Sequence, residues 1–193
     1  LRSSTDILRL LLDIAERDER IRLVTLEGSR TNRNVPADAY QDYDISYFVT
    51  DMETFKQSDR WLQPLGERLM MQKPEDMELF PPELGNWFSY LILFEDGVKL
   101  DLTLIPIGET DDYFAQSDGL VEVLLDKDAR VPREIVPGDR QYWIRKPTAR
   151  EFDAIAATSS GWHRSTCSKG WPDKRSSMPS TICTRWPGLI CCA

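Results

Sequence analysis

Between residues 5 and 17 the apolar positions Ile7, Leu8, Leu11, Leu12 and Ala15 recur at helical spacing, with Thr5 or Asp6 as the expected N-cap. This predicts an amphipathic helix that packs on a sheet. Ile21 to Glu27 then alternates apolar and polar residues, as a half-buried strand does, and stops at the small-residue turn Gly28-Ser29-Arg30. A second strand is expected from Asp44 to Thr50 and a short helix over residues 51–58. Thr31 to Gln41 is polar and aperiodic, the pattern of a loop whose tip could close over a ligand. Trp87 to Phe94 and Val98 to Ile105 flank Glu95-Asp96-Gly97, which predicts two strands joined by a tight turn. The acidic, proline-punctuated run from Gln72 to Glu83 reads as a loop, and Val121 to Leu125 as one more strand. Separated strands with helices between them define an α/β or α+β domain around one mixed sheet of about five strands, flanked by helices. Thr148 and Glu151, at capping-box spacing, should open a further helix.

The chain changes character near residue 154. Residues 155–193 carry all four cysteines, the single histidine His163 and three of the six tryptophans. They also hold five Lys/Arg and one Asp, which leaves 19 basic and 31 acidic residues in positions 1–154. The reading is therefore one domain over residues 1–153 and a tail over 154–193. An acidic body repels nucleic acid phosphates and favours cationic ligands, although it also serves plain solubility. The body has no thiol and no histidine, which excludes Cys-His and Ser-His hydrolase chemistry and His-ligated metal sites there. No run approaches the roughly 20 apolar residues of a membrane span, and no basic-then-apolar leader opens the chain, so a cytoplasmic protein without a membrane partner is expected.

Carboxylates remain as the candidates for chemistry. In Asp42-Tyr43-Asp44 two acids at i and i+2 of an extended segment point to one side, as hard ligands for Mg²⁺. Such a pair is also a common solvated strand entry. In Lys99-Leu100-Asp101-Leu102-Thr103-Leu104 the leucines share one face and Lys99, Asp101 and Thr103 the other. Asp101 is either an edge-strand charge that wards off aggregation or, if its strand lies beside that of Asp44, a third metal-binding carboxylate. Gly28 and Ser29 could bring backbone N–H groups and a hydroxyl to a phosphate. Neither Gly-x-x-x-x-Gly-Lys-Ser/Thr nor Gly-x-Gly-x-x-Gly occurs, so P-loop and dinucleotide-fold routes to nucleotide binding have no support.

Gly-Ser, then Asp-x-Asp at a strand start, then a lone strand Asp resembles the signature of the polymerase-β-type nucleotidyltransferases. Within that superfamily, Leu26 to Asn32, Gln41 to Ile45, Met71 to Asp76, Glu83 to Trp87 and Lys99 to Thr103 resemble, in order, motifs of the aminoglycoside 6-adenylyltransferases. The resemblance covers about residues 2–153 and implies a nucleotidyltransferase fold and transfer of AMP from ATP to a hydroxyl of streptomycin, with Mg²⁺ required. It implies that Asp42, Asp44 and Asp101 bind the metal, that Ser29 beside Gly28 holds the triphosphate and that Arg30 neutralises it. Asp101 or Glu83 could be the base, and Glu75, Asp76, Glu78 and Glu83 could contact the drug. A nucleotidyltransferase acting on a protein or RNA end, or a non-catalytic nucleotide-binding remnant, are the alternatives.

The family continues into a helical C-terminal domain where this chain has its tail. Codons permitted for Ile155 to Trp162, regrouped by one base, spell Cys-Cys-Asn-Glu-Phe-Trp-Met, which resembles the family's continuation after Arg-Glu-Phe-Asp. An out-of-frame tail, which would impair the enzyme, is therefore expected; a flexible or redox-sensitive extension is the competing reading.

Overall fold

The computed structural model describes residues 2–38, 40–79, 81–131 and 135–154. Two compact units are distinguished, Leu1–Trp143 and Ile144–Ala193. Of the tail read over residues 154–193, residue 154 is described and residues 155–193 lie outside the described residues. In the second unit a helix begins at residues 149–154. Thr148 and Glu151 form the expected capping box: the Glu151 carboxylate accepts from the Thr148 N–H at 2.9 Å, and Thr148 Oγ1 accepts from the Glu151 N–H at 3.3 Å.

The first unit is built on a six-stranded sheet ordered β3-β4-β5-β2-β1-β6. Its strands are β1 (Ile21–Glu27), β2 (Tyr43–Val49), β3 (Arg68–Gln72), β4 (Phe88–Phe94), β5 (Lys99–Pro106) and β6 (Val121–Asp126). All neighbours are antiparallel except β2 and β5, which run parallel. The sheet is thus mixed and flanked by helices, with one strand more than the five expected. The addition is β3, an edge strand whose Leu69 and Met70 are 67% and 61% exposed, so it shows no apolar alternation.

Helix α1 (Ser4–Arg17) begins one residue earlier than its apolar periodicity suggests. Its N-cap is Ser3, in place of Thr5 or Asp6, because Ser3 and Asp6 cap one another: Ser3 Oγ accepts from the Asp6 N–H and the Asp6 carboxylate from the Ser3 N–H. Ile7, Leu11 and Ala15 press onto the sheet, joined by Phe55 of α2 (Met52–Lys56) and by Leu62 and Leu65 of a 3-10 segment over Asp59–Leu65. Beneath them lie Leu26, Tyr43, Ile45, Tyr47, Tyr90, Leu100, Leu102 and Leu104, drawn from four neighbouring strands. The fully buried Tyr47 donates its hydroxyl to the Leu11 carbonyl at 2.7 Å, tying β2 to α1. Tyr47→Phe should therefore lower stability by about 1 kcal/mol in urea denaturation, the usual net value of one buried hydrogen bond, with the fold retained.

The opposite face is covered only in part. Helix α3 (Thr110–Gln116) places Tyr113 and Phe114 over Leu23, Phe48, Ile105 and Val121, a second and smaller core. The rest of this face is polar. Thr25, Ser46, Thr103 and Ser89 stand in lateral register across β1, β2, β5 and β4, and two residues along the sheet Glu27, Asp44 and Asp101 form a parallel row. Such a row of acids on a sheet interior is costly to bury unless its members are paired or hold a cation.

Candidate active site

Residue alternation at the start of β2 turns Tyr43 into the core and leaves Asp42 and Asp44 on the polar face. The parallel pairing of β2 with β5 sets Asp101 directly beside Asp44. Asp42, Asp44 and Asp101 can each offer an oxygen such that the three lie within 4.8 Å of one another. The Asp101 Oδ1 atom is buried and has no hydrogen-bond partner. An orphaned carboxylate oxygen among three converging hard ligands fits a divalent cation such as Mg²⁺.

The charges in this group are unequally compensated. Lys99 Nζ donates to Asp42 Oδ2 at 2.7 Å and to Asp101 Oδ2 at 2.9 Å. The Lys99 hydrogen bond holds the Asp42 carboxyl below the usual carboxylate range, and the two aspartates push the Lys99 ammonium up. Asp44 is pushed up to about 6, first by burial and then by the charges of Asp42, Asp101 and Glu27. Asp44 is the member that most needs an added cation.

The chain leaves β1 directly opposite. Gly28 has φ +70° and opens a 3-10 turn over Gly28–Thr31. A Cβ on Gly28 would lie 2.5 Å from Asp44 Oδ2, so only glycine lets the turn pass the carboxylate. Ser29 lies in the same turn, its carbonyl accepting from the Asn32 N–H. The Arg30 guanidinium lies 3.6 Å from the Tyr43 ring centroid and donates to the Asp42 carbonyl at 2.6 Å and the Gln41 carbonyl at 2.5 Å. In this arrangement Arg30 ties the end of the polar loop, and with it the backbone of Asp42, to the turn after β1.

The acidic candidates between β3 and β4 stand outside this group. Glu75, in a 3-10 turn over Pro74–Asp76, accepts the Ser89 N–H at 2.8 Å and so finishes the β4 edge beyond the end of β3. Asp76, Glu78 and Glu83 are exposed. Two residues not singled out by the sequence belong to the site. One is Lys99. The other is Glu27, opposite Asp44 on β1, whose Oε1 accepts from Thr25 Oγ1 at 3.1 Å and Ser46 Oγ at 2.5 Å. Both carry a signal in the alternation, since Lys99 precedes Asp101 by two and Glu27 abuts Gly28. Glu27, Gly28 and Asp44 also line a cleft of about 420 Å³ with Trp87, Tyr113 and Asp118.

Comparison with known proteins identifies the family. A family model described as streptomycin adenylyltransferase matches residues 1–166. The chain belongs to that family. Aminoglycoside 6-adenylyltransferases from Bacillus subtilis (strain 168), Staphylococcus aureus and Campylobacter jejuni are 71%, 49% and 54% identical to it over 153, 152 and 153 residues. Each match covers 79% of this chain, and respectively 54%, 54% and 52% of the relative. The chain thus spans about half the length of the curated relatives it matches. A crystal structure of an aminoglycoside 6-adenyltransferase from Bacillus subtilis shares its fold with a TM-score of 0.59 and 60% identity, covering 81% of this chain and 52% of that one. The mixed sheet flanked by helices is therefore the nucleotidyltransferase fold of this family. Among the described residues no helix is long and apolar enough to cross a membrane.

Proposed function

We propose that this chain carries the nucleotidyl-transfer centre of an aminoglycoside adenylyltransferase, which moves AMP from ATP to a hydroxyl of a cationic aminoglycoside, streptomycin being the acceptor. The observation that carries this reading is the parallel pairing of β2 with β5, which brings Asp101 to Asp44 and completes a three-carboxylate group beside the Gly28 turn. In the reaction the acceptor oxygen bonds to the α-phosphorus, the bond from that phosphorus to the β-phosphate bridging oxygen breaks, and pyrophosphate leaves with its electron pair. The hydroxyl proton passes to a carboxylate. Asp101, within the three-carboxylate group, is better placed for it than the exposed Glu83, which stands outside that group.

Mg²⁺, held by Asp42, Asp44 and Asp101, would supply charge neutralisation at the phosphates and acidify the attacking hydroxyl. Ser29 and the backbone of the Gly28 turn are assigned to the triphosphate. Arg30 serves it indirectly, by fixing where Asp42 stands. The cleft beside Asp44, with Glu27 and Asp118 as acids and Trp87 and Tyr113 as aromatic walls, has the chemistry to receive a guanidinium or ammonium group. Its acidity, with that of the 31-to-19 acidic body, disfavours an RNA acceptor. Adenylylation at this site is the means by which the chain would confer resistance to the drug.

The test is Mg²⁺-dependent pyrophosphate release from ATP with and without streptomycin, alongside an Asp42→Asn, Asp44→Asn double variant. Release that requires the drug and disappears in the double variant is the expected outcome. ATP binding by folded protein without any release would overturn the reading in favour of a non-catalytic nucleotide-binding domain.

A further inference from the structure

Lys99 occupies an unusual position for a lysine at the head of a strand. Tyr43 pairs with Leu100 and Asp44 with Asp101 in the parallel ladder, so one step earlier Lys99 stands across from Asp42. Lys99, Asp42, Asp101 and Asp44 thus form the corners of a square, three acids and one base, on the polar face of two neighbouring strands. The ammonium closes the square with bonds of 2.7 and 2.9 Å to the Oδ2 atoms of Asp42 and Asp101. Asp42 and Asp101 are two of the three acids that can bring one oxygen each within 4.8 Å of the others, so the ammonium stands beside the space that a hard cation ligated by all three would fill. A dication and an ammonium cannot both stay there, because their repulsion at such separations is strong even in a partly solvated site.

The square also leaves room for an exchange. Asp101 keeps a second oxygen, buried and without a partner, and no hydrogen bond from Lys99 reaches Asp44 among the described contacts. Lys99 is held by its two ion pairs, and its side chain is 49% exposed on a flexible four-carbon stem. It can therefore leave without disturbing the core.

We infer that Lys99 is the resident counter-ion of the metal-free carboxylate group, that it releases Asp42 and Asp101 when a divalent cation enters, and that its freed ammonium then pairs with the phosphates of the nucleotide. This inference rests on the reading of the three acids as a divalent-cation site. One lysine thereby serves two states. It keeps three crowded carboxylates compatible with a folded sheet before the cation arrives, and it becomes a phosphate contact afterwards.

The experiment is Mn²⁺ binding to the full chain, free of nucleotide, followed by electron paramagnetic resonance for the wild type, Lys99→Met and Lys99→Arg. Loss of a competing ammonium with two partly exposed ion pairs should tighten Mn²⁺ binding roughly tenfold in Lys99→Met, whereas Lys99→Arg should stay near the wild type. In Mn²⁺-saturated protein, Lys99→Met should bind ATP several-fold more weakly. A second measurement needs no variant: acylation of wild-type Lys99, monitored by mass spectrometry, should speed up when Mn²⁺ is added and slow again when ATP is added next. Equal or weaker Mn²⁺ binding by folded Lys99→Met, or Lys99 acylation unmoved by Mn²⁺, would overturn the exchange and leave the metal site standing. Failure of both wild type and variant to bind Mn²⁺ would overturn the metal site and the inference with it.

Discussion

Asp44→Asn should lower drug-dependent pyrophosphate release by at least about a thousandfold, the several kcal/mol that metal charge stabilisation contributes, while making the metal-free protein more stable. The two effects have one origin. Asp44 lies half-buried with Asp42, Asp101 and Glu27 around it, and burial and these charges push its carboxyl up to about 6 from the ordinary 3.8. Between those two values the folded state holds more protons than the unfolded chain, so stability falls as the pH rises from about 4 to 6. Above about pH 6 the whole penalty is present. Asparagine keeps the shape and removes the charge, so in chelator at pH 7.5 the variant should gain about 1–2 kcal/mol, a figure reduced for solvent screening. The gain should shrink towards zero near pH 4, where the wild-type carboxyl is largely protonated in the folded state and its penalty is gone. Mg²⁺ should stabilise the wild type and leave the variant unmoved. Urea denaturation at two pH values, with and without Mg²⁺, checks each step. A variant less stable than wild type at both pH values would show Asp44 to be a structural anchor, and retained turnover would remove it from the reaction.

That trade of stability for a ligand bears on how much of the site is legible in the chain. The alternation of Leu100, Leu102 and Leu104 with Lys99, Asp101 and Thr103 reveals that Asp101 faces away from the main core, and the structure agrees. It does not reveal which strand lies beside β5. The β4-β5 hairpin is local and legible from Asp96-Gly97, where Gly97 takes φ +81°. The β2-β5 contact joins residues 57 apart through a crossover, and no local pattern encodes it. The convergence of Asp42, Asp44 and Asp101 is therefore conditional in the sequence and becomes visible only with the topology. The roles of Lys99 and Glu27, beyond the face that the alternation gives each of them, stay hidden for the same reason, since they are defined by lateral neighbours. β3 stays hidden because an edge strand with exposed Leu69 and Met70 carries no alternation. Helix α3 stays hidden because seven residues, Thr110–Gln116, bury only Thr110 and Tyr113 and make barely two turns of pattern. Ser3 is hard to pick out as a cap because the first apolar position, Ile7, lies four residues beyond it.

Gly28→Ala should remove the reaction nearly as completely as loss of a carboxylate, at least about a hundredfold, and weaken Mn²⁺ binding in parallel, by way of Asp44. Two costs fall together at this position. Alanine at φ +70° carries the left-handed penalty, about 1–2 kcal/mol. Its Cβ would also stand 2.5 Å from Asp44 Oδ2 and 3.4 Å from Asp44 Cγ, so one of the two must move. The turn is poorly free to do so: the Gly28 N–H donates to the Leu120 carbonyl at 3.0 Å, and the Gly28 carbonyl accepts from Thr31 Oγ1 at 2.9 Å. The Asp44 side chain yields instead and rotates out of the group it shares with Asp42 and Asp101. Gly97→Ala separates the two costs, because Gly97 has φ +81° but nothing within 4 Å of an added Cβ. It should lose about 1 kcal/mol of stability through backbone strain alone, with metal affinity and turnover kept. If Gly28→Ala matched Gly97→Ala in metal affinity and activity, the close approach of turn and carboxylate would be incidental. If it loses both while remaining folded, the glycine of the Gly-Ser turn is there to make room for Asp44, which links the end of β1 to the chemistry on β2 by contact.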